Sequence, residues 1–159
     1  MAYPIHYQAI TTDVEFYQEV TILNQEAENY LLDFKWCEEI KNSFLYTNLG
    51  KVFCIFLFEI VNTQSSADNF LWVVVGDIPP MYLDVFGPRT TKEVVEDYVN
   101  LAEDWINNIK AAKSVESCYP FNVEPNIEFA MLLEHKVSFM KKTLMNNIGD
   151  IPYRLNSST

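Results

Sequence analysis

The chain has 159 residues, 49% hydrophobic and 14% aromatic, which suffices for one core whose burial offsets chain entropy. Twenty-two acids against eleven bases leave a net charge of −11, which repels phosphate backbones and argues against nucleic acid as a ligand. Cys37, Cys54 and Cys118 share no CxxC spacing, so they indicate neither a disulfide framework nor a zinc knuckle, but reduced thiols in a cytoplasm.

Residues 1–22 carry Val14, Phe16 and Val20 without a clear period, and read as an arm, a short strand or a first helical turn. Met1 to His6 lacks a basic segment followed by an apolar one, and the longest apolar run, Val52 to Phe58, is too short for a bilayer. The chain therefore reads as neither secreted nor membrane-spanning. From Asn24, the near-helical spacing of Ala27, Tyr30, Leu31, Phe34, Ile40 and Phe44 predicts helix over 24–47, stopped by Gly50. Glu38 and Glu39 oppose the helix dipole at that end, which favours a break near Lys35.

The period then changes. Residues 51–61 and 69–76 are β-branched, aromatic and apolar on both alternating faces, so they read as neighbouring antiparallel strands at the centre of a sheet covered on both sides. Thr63 to Asn69 is the polar link between them. Helices should cover one face, and the N-terminal arm or a second subunit the other. Gly76, Asp77, Pro79 and Pro80 turn the chain stiffly into an edge strand over 81–86.

Thr90 and Glu93 match a capping box, opening an amphipathic helix over 91–112. A last helix over 125–147 starts at Pro125 and carries Ala130, Leu133, Val137, Met140 and Leu144 inward. The fold class is α+β, in one domain spanning 1–159, with 155–159 a flexible tail.

Catalytic signals are sparse. His6 sits in the terminal arm and His135 mid-helix, which leaves no base placed for a triad. Cys37 precedes Glu38 and Glu39, which disfavour its thiolate, and Cys54 belongs to a core strand. Asp77 reads as a turn residue, and nothing forces Asp77 and Asp84 together as a metal or acid–base pair. Four glycines are too few and too scattered for a phosphate loop, so no cofactor or metal is expected.

Trp36-Cys37-Glu38-Glu39 and the W-x-x-x-G-D-x-P-x-x-Y pattern from Trp72 to Tyr82 resemble a bacterial family of small proteins grouped as a domain of unknown function. The resemblance covers about residues 30–145 and implies a bacterial, cytoplasmic protein, with no activity or catalytic residue to carry over.

Trp36, Glu38, Glu39, Asp77 and Tyr82 are the binding residues this reading selects. The preferred function is a non-enzymatic, cytoplasmic, protein-binding domain with an acidic surface for a basic partner; an immunity-like protein neutralising a basic toxin is one concrete version. An enzyme with a carboxylate site at Asp77, Asp84 and Tyr82 is the first alternative. A homodimer burying the second face of the sheet is the other.

Overall fold

The computed structural model describes residues 3–154, and the tail expected at 155–159 lies outside the described residues. The fold is α+β. One antiparallel sheet contains β1 (Ile5–His6), β2 (Cys37–Asn48), β3 (Phe53–Asn62), β4 (Phe70–Gly76) and β5 (Met81–Asp84), side by side in chain order. Helix α1 (Tyr17–Leu32) packs on one face. On the other lie α2 (Thr91–Lys110) and α3 (Ile127–Phe139), the latter continued by a π-helical stretch, Met140–Leu144, and a last turn, Met145–Asn147.

The two-sided hydrophobicity of β3 and β4 follows from this layering. Phe53, Ile55 and Leu57 of β3, with Trp72 and Val74 of β4, join the core beneath α2 and α3. The alternate residues, Cys54, Phe56, Phe58 and Ile60 with Leu71, Val73 and Val75, join Val20, Leu23, Ala27 and Leu31 of α1. Period-2 alternation thus assigns each strand residue to one of two cores. The second face is covered by the chain's own α1, together with the segment leading into it, so its hydrophobicity calls for no second copy.

The helix expected over 24–47 is corrected. Helix α1 begins earlier, after Phe16, whose φ of 58° sets the chain's entry, and ends at Leu32. Residues 37–48 form the longest strand of the sheet, not a helix. The misleading spacing has a physical cause: the β2–β3 register shifts between Cys37 and Glu39, between Ile40 and Asn42, and between Leu45 and Thr47. Each irregularity interrupts the alternation of two, and the shift between Ile40 and Asn42 sends Ile40 and Phe44, four residues apart, to opposite cores. Residues 3–22 combine the expected alternatives: β1 pairs with Phe44 and Leu45 of β2, and Tyr17 onward is helical.

The corner after β4 needs glycine. Gly76 has φ +145°, and a Cβ there would lie 2.3 Å from the Val52 carbonyl oxygen. That close approach lets the Asp77 N–H donate to the same carbonyl at 3.0 Å. Pro79 is held from the far side, where the buried Tyr98 hydroxyl donates to its carbonyl at 2.7 Å. At the start of α2, Thr90 Oγ1 accepts from the Glu93 N–H, as the capping box requires, while Glu93 Oε1 accepts from the Arg89 N–H. Helix α3 is capped by Asn126, whose Oδ1 accepts from the Phe129 N–H.

Candidate functional site

Once residues 37–48 are a strand, Trp36 stands at the end of the sheet where the β3–β4 link also lies. There it meets Tyr82 of β5, with ring centroids 5.1 Å apart and planes at 62°. Phe34 stacks on the indole at 4.9 Å, and its own edge contact with Tyr82 is also 5.1 Å. Phe34 and Trp36 follow directly on α1, so the turn from helix to strand delivers both rings to the edge of the sheet.

Trp36 and Tyr82 line an open cleft of about 320 Å³ whose rim includes Asn62, Gln64, Asp68 and Asp84. The polar link supplies much of that rim and is braced by Asn62: its Oδ1 accepts from the Gln64 and Ser65 N–H groups, and its Nδ2 donates to the Asp68 carbonyl. Asp84 Oδ1 accepts from the Phe86 and Gly87 N–H groups, at 2.8 and 2.9 Å. Burial first, and then the Asp68 charge, hold the Tyr82 hydroxyl above its ordinary pKa.

Outside the cleft, a tyrosine pair ties the Tyr82 backbone in place. Tyr119 Oη, from the α2–α3 loop, accepts from the Tyr82 backbone N–H at 2.9 Å and lies 3.0 Å from Tyr30 Oη of α1. This closes part of the otherwise open edge of β5 and joins the two helical layers around it. Burial and the neighbouring Tyr119 hydroxyl push Tyr30 well above the ordinary phenol range.

The remaining selected residues lie elsewhere. Glu38 and Glu39 are exposed on β2, just beyond the cleft wall. Asp84 pairs with Leu71 at one end of β4, whereas Asp77 follows Gly76 at the other, so about 20 Å of strand separates them. Asp77 Oδ1 is 3.2 Å from Lys136 Nζ, which also donates to the Asp77 carbonyl at 2.6 Å. The bridge stands between two small apolar cavities, each about 280 Å³, that separate the corner from α3. Asp77 therefore ties the corner to a helix, and the structure brings together only Trp36, Tyr82 and Asp84 from the sequence-selected groups.

The thiols are buried. Burial alone raises the Cys37 pKa, and Cys54 is pushed up to about 12 chiefly by burial. His6 Nε2 is bonded to Asn42 Oδ1 at 2.8 Å, while His135 is exposed on α3. Among the described residues, no three His, Cys, Asp or Glu side chains gather as a metal site requires, and no helix is long and apolar enough to cross a membrane.

Negative charge concentrates in two places, the N-terminal quarter and α2, which holds five acids and two bases. Residues 1–40 hold eight acids and one base. Among the described residues the ion pairs are Lys110–Glu134, Lys136–Asp77 and Lys141–Glu103, each with its cation on α2, on α3 or on the π-helical stretch that continues it. The acids of α1 and early β2 take part in none. On α1, Glu19 and Glu26 flank the exposed Ile22 along a shallow groove that Lys51 and Asp77 also line.

No protein-family model matches this chain, and no match is found among curated proteins or solved structures.

Proposed function

We propose that this protein is a non-enzymatic binding protein whose α1 face, with the adjoining start of β2, docks a basic protein partner. The observation that carries the reading is the density of acids in residues 1–40, eight against one base, none of which joins an ion pair among the described residues. Such a field accelerates encounter with a cationic surface and weakens as salt shortens its reach. Ile22 adds an exposed apolar contact between the acids. Neutralisation of a basic toxin, in the manner of an immunity protein, is one form of this activity. The separation of Asp77 from Asp84, and the use of both in local structure, weigh against a shared carboxylate site. Three buried free thiols fit a reducing compartment such as the cytoplasm.

The test is capture from native lysate over a salt series, using the wild-type chain and a Glu19→Lys/Glu26→Lys variant. A basic partner, identified by mass spectrometry, should be lost from the variant and should associate with the wild type at least tenfold more slowly at high salt than at low. Recovery of only acidic or salt-indifferent partners overturns the proposal.

A further inference from the structure

The cleft at the end of the sheet combines features that the acidity of α1 does not explain. Its aromatic wall is formed by Tyr82 and by the part of Trp36 that the stacked Phe34 leaves uncovered, the two rings set at 62° to one another. Its rim carries Asp68 and Asp84, and no lysine or arginine lines it. Asn62 Oδ1 and one Nδ2 N–H are engaged in bracing the link, and Asp84 Oδ1 is occupied by two backbone amides. The Asp68 carboxylate and the second Asp84 oxygen, by contrast, accept no hydrogen bond and join no ion pair among the described residues. Aromatic surface beside unpaired carboxylates attracts a cation that can both stack and donate.

We propose that this cleft is a receptor for an arginine side chain, with the guanidinium packed against Trp36 and Tyr82 and its N–H groups donated to Asp68. Arginine suits it better than a quaternary ammonium, which has no N–H for the carboxylates, and better than lysine, whose compact, strongly hydrated charge stacks poorly on rings. That the arginine belongs to a protein rests on the basic-partner reading above; the chemistry of the cleft does not.

Trp36 makes the measurement selective. Trp72 and Trp105 are buried at 0% and 2% exposure, so a ligand in the cleft reports mainly through Trp36 fluorescence. The wild-type chain is titrated with N-acetyl-arginine amide and, separately, with the uncharged isostere N-acetyl-citrulline amide; backbone amide shifts are followed in parallel. Arginine should give a saturable change with a millimolar Kd, as one side chain supplies, and citrulline should bind at least tenfold more weakly. Asp68→Asn, at a half-buried position of the polar link outside both cores, should weaken arginine binding about tenfold with an unchanged urea midpoint. Equal responses to arginine and citrulline, no saturation by 50-fold the expected Kd, or an unaffected Asp68→Asn variant each overturn the proposal. Glu19→Lys/Glu26→Lys separates the two readings: it should abolish partner capture while leaving the arginine amide titration within twofold of wild type.

Discussion

Gly76→Ala tests the geometry of the corner most directly. The added methyl would sit 2.3 Å from Val52 O, 2.7 Å from Val52 C and 2.8 Å from Phe53 Cα, all backbone atoms of the neighbouring strand rather than movable side chains. At φ +145° an L side chain is strained as well, at a cost of about 1–3 kcal/mol. Relieving the contact forces β3 and β4 apart where Phe53 pairs with Gly76, which adds about 1–3 kcal/mol of packing loss. The Asp77 N–H bond to Val52 O goes with it, for about 1 kcal/mol more. The sum is roughly 3–7 kcal/mol, a large part of the ~5–15 kcal/mol that typically holds a domain folded. With a urea slope of about 2 kcal/mol per molar, the midpoint should fall by ~1.5–3.5 M. Gly87→Ala is the control, because a Cβ there meets only Asp84 Oδ1 at 3.7 Å, and its effect should stay within about 0.5 kcal/mol. A Gly76→Ala midpoint within about 0.3 M of wild type would refute the close approach.

Tyr119→Phe leaves the Tyr82 N–H without its partner and removes the Tyr30 contact, so it should cost about 1.5–3 kcal/mol in urea unfolding; Tyr30→Phe, which spares the Tyr82 bond, should cost less than half as much. Equal losses would contradict the assigned roles. Asp97 is held above its ordinary pKa by burial first and then by Glu93, Glu96 and Asp84, and Glu28 is raised by burial. An acid raised on folding makes the folded state bind more protons, so its contribution improves as pH falls from neutral towards the unfolded carboxylate value. Asp97→Asn should raise the melting temperature at pH 7, with a gain that shrinks as pH falls towards the unfolded carboxylate range; a gain that grows on acidification would reverse the sign. Asp77→Asn should change stability by less than about 1 kcal/mol in urea melts, because the Asp77 side chain is 75% exposed and Lys136 keeps its bond to the carbonyl. A larger loss would assign the bridge a structural weight its exposure does not support.

Local chemistry was enough to reveal the α+β class, the central strands, the capped start of α2 and the proline corner. Each depends on neighbours in sequence: alternation along β3, a threonine three residues before a glutamate, a glycine leading into prolines. The strand at 37–48 was not legible, because its irregular register replaces clean alternation with spacings that pass for helical. The reading of Trp36 and Tyr82 as binding residues named both halves of the cleft without joining them, since a Trp36 placed mid-helix has no reason to lie beside β5. Asp68 carries no such signal either, being part of a polar connector with no visible destination.

The sequence by itself determined which segments must be buried and where the negative charge accumulates, because burial preference and charge are properties of the side chains themselves. Only the tertiary structure decided that α1 covers the second face of the sheet, that Asp77 and Asp84 stand at opposite ends of a strand, and that rings from positions 36 and 82 share a wall. Those relations depend on strand register and on the direction each connection takes, and these are fixed by packing between residues far apart in the chain.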